Sequence, residues 1–494
     1  MKRILLSFGI AALFGGLSAF GQSPKQASDP SLAALRALEI DAGTITAVER
    51  DASDTRTIVK LVLNPAKGSN ILVEVWLPDA AKWNERFLGL GNGGAAGKIN
   101  SGSLDGASAN GYAVATTDMG TAPNSDSGIG NPEVWKDFGF RATHLMTVAG
   151  KQIVRAHYGR DPEFSYFSGG STGGQQALQE AQRYPEDYDG ISAAVAAHCR
   201  TPLHAYFLWN DQILRQCPFT KEQDASVIAA ANEVMASREI PAAAGKFVSD
   251  PRCGAEDIEA VIALARKRDA TLTDAHAAAL RKLFDGPRHA ETGERLFNGI
   301  PLGSSILAAH GHLYLFQWVF GKDKALEEIN FGTDIDAYTA ALAPYLNAEN
   351  PDISAFAQRG GKLIMTLGTA DSVVPYHASI DYYERVIERF GGLEPVQSFF
   401  RFYLVPGLAH GGGPGINQAP NLLDAVRAWR ETGTAPVGLT GRHVEEGKVA
   451  WEMPIYPYPM RTGWDAGTQG FKPVEGKRGG VDPIARRFLP SAKD

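Results

Sequence analysis

Cysteine is scarce in this sequence, and neither acidic nor basic residues are in large excess. Only three cysteines, Cys199, Cys217 and Cys253, occur among 494 residues, which excludes a disulfide framework and allows at most one internal bridge. Two states of the cysteines remain possible, a Cys217–Cys253 bridge or three free thiols. Cys199 is the least suited to pairing because it follows an apolar run typical of a buried strand. The net charge of −7 is dispersed without a polybasic run, so we expect no nucleic-acid partner.

Long hydrophobic runs are missing after the N-terminus. There, Lys2 and Arg3 precede an apolar run that ends in small residues before Gln22. This pattern predicts a signal peptide over residues 1–21, and hence a secreted or periplasmic protein with no membrane contact after cleavage. An uncleaved membrane anchor is the alternative, which the shortness and the Gly/Ser content of the run disfavour.

Strand and helix signals alternate on either side of a long Ala-rich helical stretch. Alternation of this kind predicts a parallel sheet covered by helices on both faces. We therefore predict an α/β core in two parts, a mainly helical lid inserted between them, and an irregular tail packed on the core. Their predicted bounds are 22–198 and 352–438 for the core, 199–351 for the lid and 439–494 for the tail. No internal repeat is visible.

A serine lies between close glycines in the sequence GGSTGG, residues 169–174. The pattern G-x-S-x-G is short enough to arise by chance in a chain with 54 glycines, and a plain turn is the alternative. Its context is more specific, because a β-type run, FSYFSG, precedes Ser171 and a helical run follows it. A sharp strand–turn–helix of small residues is the setting of the nucleophile in α/β-hydrolases.

Candidates for the rest of a catalytic triad follow in the order that this fold requires. Asp371 ends the strand-and-turn sequence KLIMTLGTAD, and His410 follows the next predicted strand in the Gly-rich sequence PGLAHGGGPG. Together with Ser171 they predict a nucleophile, a general base and a group that orients the base. His377 is a rival for the base, but it lies in the first turn of a predicted helix only six residues after Asp371.

An oxyanion hole needs two backbone N–H donors near the serine. One is expected from Thr172, the residue after the candidate nucleophile, and the other from a loop after an early strand. The sequence LGLGNGGAAG, residues 88–97, is the Gly-rich loop in that place, so Gly93 or Gly94 is the second candidate. A plain turn is the alternative for this loop.

The lid carries several aromatic residues that would suit an aromatic ligand. Trp209, Phe316 and Trp318 are the candidates for substrate contact, and burial in the lid core is the alternative for each. His310 and His312 have no adjoining cluster of Cys, Asp or Glu, so we interpret them as lid or core histidines and expect no metal site.

Taken together, these segments resemble the tannase and feruloyl esterase family, which includes mono(hydroxyethyl) terephthalate hydrolases. The resemblance extends over nearly all of the chain after residue 85. It is carried by RFLGLGNGGAAG, ATTDMG, DFGFRATH, YFSGGSTGGQQALQEAQRYPEDYDGI, ALRKLFDGPR, PDISAFAQRGGKLIMTLGTADSVVPYHASIDYYERV, VPGLAHGGGPG and PIYPYP. It implies an α/β-hydrolase fold with a large lid insertion, hydrolysis of esters of aromatic acids, and a Ser–Asp–His triad that matches Ser171, Asp371 and His410.

The chain departs from the family pattern at several positions. The family typically has a disulfide between a Cys before the nucleophile and a Cys after the catalytic His, where this chain has Gly170 and Gly411. Tyr456 stands where the family often has another Cys. The family's Asp-rich calcium loop corresponds to residues 236–253 here, and no Asp occurs between Ala236 and Val248, so we expect no calcium and no other cofactor.

The sequence thus predicts a serine carboxylic ester hydrolase that acts on a small aromatic ester through an acyl-enzyme. The alternatives are a non-catalytic phenolic- or carbohydrate-binding relative and a general short-chain carboxylesterase or lipase. The sequence does not distinguish galloyl, feruloyl and terephthaloyl esters, and it is silent on oligomeric state.

Overall fold

The computed structural model describes residues 30–236, 240, 247–250 and 252–489. The predicted signal peptide, residues 1–21, lies outside them, as does part of the segment predicted to have lost a calcium loop. Over the described residues, one mixed sheet has nine strands in the order β1-β2-β3-β5-β4-β6-β7-β8-β9. The strands are β1 (Gly43–Arg50), β2 (Arg56–Leu63), β3 (Ile71–Pro78), β4 (Arg86–Leu90), β5 (Ala113–Thr117), β6 (Phe164–Gly170), β7 (Gly190–Ala194), β8 (Lys362–Gly368) and β9 (Phe400–Val405).

The sheet is parallel from β5 to β9, as the sequence predicts, but β1, β2 and β3 pair antiparallel with their neighbours. The connections between these first strands, residues 51–55 and 64–70, are too short for the crossover that a parallel pair needs. Strand β1 was not predicted, because the first clear strand signal in the sequence is the run TIVKLVL, residues 57–63. It is an edge strand with mostly exposed or half-buried residues, so it has little apolar alternation.

Helices cover both faces of the sheet. Successive strand residues alternate between two separate clusters of buried side chains: Phe87, Phe167 and Phe402 belong to one, and Leu88, Tyr166 and Tyr403 to the other. The α-helices are α1 (Pro30–Arg36), α2 (Ser101–Ala109), α3 (Pro132–Lys136), α4 (Ala142–Tyr158), α5 (Thr172–Arg183), α6 (Arg200–Gln216), α7 (Lys221–Met235), α8 (Ala255–Arg268), α9 (Asp274–Asp285), α10 (Tyr314–Phe320), α11 (Thr333–Leu346), α12 (Ser354–Gln358), α13 (Tyr376–Arg389), α14 (Leu393–Gln397) and α15 (Leu422–Thr432). Among the described residues, no helix combines the length and the apolar character needed to span a bilayer.

Helices α6 to α11 all lie between β7 and β8, which agrees with a mainly helical insertion in an α/β-hydrolase core. The two ends of this insertion are hydrogen-bonded to each other. Ala348 N donates to His198 O at 2.8 Å, and His198 Nδ1 bonds to the Glu349 carboxylate in a fully buried pair. The lid therefore leaves and re-enters the core at one place.

The tail is more regular than the sequence predicts. Residues after 438 form two hairpins, β10 (Leu439–Glu445) with β11 (Lys448–Ile455), and β12 (Arg461–Asp465) with β13 (Gly470–Val474). Glu446 and Gly447 have φ of 48° and 77°, which is the requirement of a two-residue turn between twisted strands. The prediction of an irregular tail was wrong because a Glu–Gly turn is a weaker signal than Asn–Gly or Asp–Gly.

The three cysteines are free in the structure. Cys199 is buried, Cys217 is half-buried and Cys253 is exposed, so the alternative of three free thiols is the one found and the Cys217–Cys253 bridge is not. No bridge is needed, because a large core holds the lid and the sheet together.

Candidate active site

Ser171 lies in the sharp turn between β6 and α5. Its φ of 57° and ψ of −116° place a non-glycine residue in a strained part of conformational space. The surrounding backbone holds it there: Ser171 N donates to Ala194 O at 3.0 Å, and Ser171 O accepts from the N–H groups of Gly174 and Ala197, each at 3.0 Å. The turn presents the hydroxyl at the carboxyl end of the parallel strands, where open α/β sheets bind ligands.

Glycines are required around this turn by close packing. A Cβ on Gly169 would lie 2.3 Å from Gly173 O, and one on Gly91 would lie 2.6 Å from Gly173 Cα. Position 170 differs, since a Cβ on Gly170 would have its nearest neighbour at 3.6 Å. A Cβ on Gly411 would meet nothing within 4 Å. Positions 170 and 411, where the family resemblance implies a pair of bridged cysteines, therefore both have room for a side chain.

The structure brings Ser171, His410 and Asp371 together in a hydrogen-bonded chain. Ser171 Oγ lies 3.2 Å from His410 Nε2, and His410 Nδ1 lies 2.8 Å from Asp371 Oδ2. Asp371 is fully buried, and its Oδ1 accepts from the N–H groups of Val373 and Val374 at 2.9 and 2.8 Å. With the Asp371 carboxylate accepting from Nδ1, His410 is left with Nε2 as an acceptor for the serine proton.

The electrostatics of His410 suit a base near neutral pH. Burial lowers the pKa of His410, but the hydrogen bond and the charge of Asp371 outweigh it, so the pKa of His410 is raised above its usual 6.5. His377, the rival candidate, faces a different cavity, and burial, with the nearby charge of Arg295, lowers its pKa to about 3. Only His410 of the two is hydrogen-bonded to Ser171.

The candidate oxyanion donors adjoin the serine. Thr172 is the first residue of α5, and the first N–H groups of a helix have no acceptor within it. Gly93 and Gly94 line the same cavity as Ser171, and Gly94 has a φ of +57°. Their loop is fixed to the start of α5, because Gly173 N donates to Asn92 O at 2.7 Å and Asn92 N donates to Gln176 Oε1 at 2.8 Å.

A cavity of about 300 Å³ opens beside Ser171 and has a mostly apolar wall. One face of α6 supplies much of that wall, with Arg200, Leu203, His204 and Phe207 at helical positions i, i+3, i+4 and i+7. The remaining lining residues are Gly93, Gly94, Thr172, Ala197, His312, Val373, Val374 and His410.

Trp209, Phe316 and Trp318 do not line this cavity, which corrects the sequence prediction. Trp209 packs edge-on against Phe331, and its indole N–H donates to Lys282 O at 3.0 Å. Phe316 stacks on Tyr338 with ring centroids 4.3 Å apart, and Trp318 donates to Ser125 O at 2.6 Å. All three have their partners within the lid or at its contact with the core. The lining face of α6 was missed, although it carried a signal. Arg200 lies six residues after the end of β7, and the residues of this face recur at helical spacing.

Two groups of side chains have the composition of metal ligands. His198, Cys199 and Glu349 form one, and their donor atoms lie within 4.8 Å of one another. Residues 144, 180 and 187 form the other, in which the imidazole and the aspartate are hydrogen-bonded to each other at 2.7 Å. Neither group lines the cavity beside Ser171.

Comparison with known proteins identifies the family. The sequence profile described as "Tannase and feruloyl esterase" matches residues 57–333 and 322–472. The chain belongs to the tannase and feruloyl esterase family. Its relatives include an uncharacterised esterase of Xanthomonas campestris pv. campestris, 30% identical over 100% of this chain and 98% of the relative. Feruloyl esterase B of Aspergillus niger is 30% identical over 81% of this chain and 82% of the relative. This tannase-family chain is accordingly a carboxylic ester hydrolase.

Solved structures of the family share its fold. Feruloyl esterase B from Aspergillus oryzae superposes with a TM-score of 0.74 at 22% identity, covering 90% of this chain and 100% of the other. A tannin acyl hydrolase from Aspergillus niger superposes with a TM-score of 0.72 at 20% identity, covering 93% and 97%. The nine-stranded sheet of this family member, with its inserted helices, is thus an α/β-hydrolase architecture.

Proposed function

We propose that this tannase-family chain is a serine esterase that hydrolyses esters of small aromatic acids, with Ser171 as nucleophile, His410 as general base and Asp371 as the group that orients it. The observation that carries the proposal is the chain of hydrogen bonds from Ser171 through His410 to Asp371, at 3.2 and 2.8 Å, at the edge of the cavity. The order of these residues and their positions after core strands support it further.

The proposed reaction has two halves. Ser171 Oγ bonds to the ester carbonyl carbon as its proton passes to His410 Nε2, and the carbonyl oxygen becomes an oxyanion held by the N–H groups of Thr172 and of Gly93 or Gly94. The bond from carbon to the alcohol oxygen then breaks, and His410 returns the proton to that oxygen. A water molecule then gives a proton to His410, and its oxygen bonds to the acyl carbon. The bond from that carbon to Ser171 Oγ breaks, and His410 returns the proton to Oγ, which releases the free acid.

The lining and the size of the cavity support the proposal of an aromatic acyl group. Leu203, Phe207, Val373 and Val374 provide an apolar wall, and a volume of about 300 Å³ suits a single substituted ring. His204 and His312 are held neutral beside it, because burial and the positive charge of Arg200 lower the pKa of both imidazoles. A short aliphatic acyl group would leave much of the apolar wall without contacts.

The function is tested by Ser171→Ala together with a panel of esters. Ser171→Ala should lower kcat/KM for methyl ferulate or methyl gallate by at least about 10³-fold. Ser398→Ala, which removes an exposed hydroxyl, is the control and should match the wild type. Retained activity in Ser171→Ala would contradict the assignment of the nucleophile.

The substrate class is tested separately. Methyl ferulate, methyl gallate and a terephthalate monoester are compared with a short-chain aliphatic ester of the same alcohol. We expect the highest kcat/KM for an aromatic ester. A preference for the aliphatic ester would contradict the aromatic specificity and leave the role of Ser171 intact.

We also propose that the chain is secreted or periplasmic. The support is the basic pair Lys2 and Arg3, the apolar run that follows, and the small residues before Gln22.

A further inference from the structure

A buried arginine connects the lid to both parts of the candidate oxyanion hole. Arg200 begins α6, the first lid helix, and only 3% of its surface is exposed. Its Nη1 donates to Thr172 Oγ1 at 3.0 Å, and its Nη2 donates to Gly94 O at 3.0 Å and also to the Tyr314 hydroxyl. One guanidinium therefore contacts the residue after Ser171 and the loop that carries the second candidate donor.

The Gly94 carbonyl is the centre of this arrangement. Besides Arg200, it accepts from Thr172 Oγ1 at 2.7 Å and from the Tyr314 hydroxyl at 3.4 Å. A Cβ at Gly93 or Gly94 would meet nothing within 4 Å, so this side of both residues is open. Three hydrogen bonds to the Gly94 carbonyl hold this part of the loop, and two of the three donors, Arg200 and Tyr314, come from the lid.

The charge of Arg200 is not neutralised by the protein groups that it contacts. Its hydrogen-bond partners among the described residues are two hydroxyls and a carbonyl, and its Nε has no partner there. The guanidinium lies over the ring of Phe138, 5.3 Å from the centroid. A buried cation without a carboxylate partner is costly, and a role in function accounts for its position here. An anion that forms beside it during the reaction would be stabilised by it.

We propose that Arg200 is a positioning residue that fixes the Gly94 loop against Thr172 and supplies positive potential at the place where the oxyanion forms. This inference rests on the function proposed above. It gives the lid a part in the chemical step in addition to its part in enclosing the substrate, because the arginine belongs to the first lid helix. The proposed effect on the reaction passes through the loop and through this potential, not through a hydrogen bond from Arg200 to the substrate.

The test compares Arg200→Met with Arg215→Met. Arg215 lies on the same helix, is more than half exposed and pairs with Asp211 and Glu327 away from the cavity, so its loss should leave kcat and KM close to those of the wild type. Arg200→Met should lower kcat by about 10- to 100-fold, since a small misplacement of catalytic groups costs up to about 10²-fold. KM should change by less than about threefold. Arg200→Lys should recover only part of kcat, because an ammonium cannot bridge two acceptors as a planar fork does.

A double-mutant cycle separates positioning from general loss of stability. Thr172→Val removes the hydroxyl that bonds both Gly94 and Arg200 but keeps the backbone N–H. If the two side chains act through one loop, the losses of Thr172→Val and Arg200→Met should not multiply in the double variant. Hydrogen exchange of the peptide spanning residues 90–97 should accelerate in Arg200→Met and stay unchanged in Arg215→Met.

Three results would overturn the proposal. The first is a kcat of Arg200→Met within twofold of the wild type, and the second is a rise in KM alone, which would place Arg200 on the substrate. The third is multiplicative losses of kcat in the double variant together with unchanged hydrogen exchange of residues 90–97. The exchange measurement needs no activity. If the wild type fails to hydrolyse esters through Ser171, the proposed function falls while faster exchange in Arg200→Met still supports the clamp on the loop.

Discussion

Adjacent glycines before Ser171 offer a sharp test of how packing holds the nucleophile. Gly169 and Gly170 both lie in β6, and neither has a positive φ, so an alanine backbone is allowed at both. They differ in the space around a Cβ. At position 169 the added carbon would lie 2.3 Å from Gly173 O, 2.5 Å from Gly173 C and 2.7 Å from Gly173 Cα. At position 170 the nearest atom would be Ala194 O at 3.6 Å, an ordinary contact.

Relief of the clash in Gly169→Ala requires the backbone at Gly173, in the first turn of α5, to move by roughly an ångström, because a contact near 3.4 Å is the shortest comfortable one. Overpacking of this kind costs about 1–3 kcal/mol in the free energy of unfolding. Ser171 lies between Gly169 and Gly173 in the chain, and a displacement of a catalytic group by about 1 Å can cost about 10²-fold in rate. Gly170→Ala should stay within about 0.5 kcal/mol of the wild type and keep its activity.

Denaturant unfolding gives the free-energy difference, and kcat/KM for a nitrophenyl ester gives the rate. We expect Gly169→Ala to lose both stability and rate and Gly170→Ala to lose neither. If both variants lose stability and rate, or if neither does, the argument that contact with Gly173 sets the position of Ser171 is refuted.

The remaining predictions concern pH and location. The pKa of His410 is raised above 6.5 because its bond to Asp371 and the charge of Asp371 outweigh burial, so kcat/KM should rise with pH through a midpoint above 6.5 as the imidazole becomes neutral. Asp371→Asn removes the charge and leaves the burial, so this midpoint should move to lower pH while the plateau falls by about 10⁴-fold; a pH–rate profile with an unmoved midpoint would contradict the role of Asp371. For location, the mature protein recovered from the periplasm or the medium should begin at Gln22 by N-terminal sequencing, whereas an intact N-terminus in a membrane fraction would support the uncleaved anchor.

The sequence contained most of the information needed for the core and for the three residues of the candidate triad. Strands β6 and β8, which end near Ser171 and Asp371, lie inside the sheet, and β9, which precedes His410, is its last strand. All three bury residues on both faces, so they read as apolar runs bounded by turns. The edge strand β1 was missed because only one of its eight residues is fully buried. A strand is thus predicted from the sequence when most of its residues are buried, and the strands that carry the candidate triad are among the most buried.

The wall of the cavity was predicted poorly for a geometric reason. Phe207 and Trp209 are two residues apart on α6, so they face different directions: Phe207 lines the cavity, and Trp209 bonds to the end of α9. Composition alone favoured the larger ring. Which face of a lid helix meets the core depends on the docking of the whole insertion, and that information is spread over many lid contacts.

The bonds that join His198 to Ala348 and Glu349 make the insertion, seen from the sheet, equivalent to a short loop between β7 and β8. Replacement of the residues between them by another domain need not alter the register of the two strands, so evolution can vary substrate choice in the lid while the reaction centre stays constant. Such a replacement of the lid has one condition. A new lid has to bring its own substitute for Arg200, or the enzyme gains a different specificity at the expense of its rate.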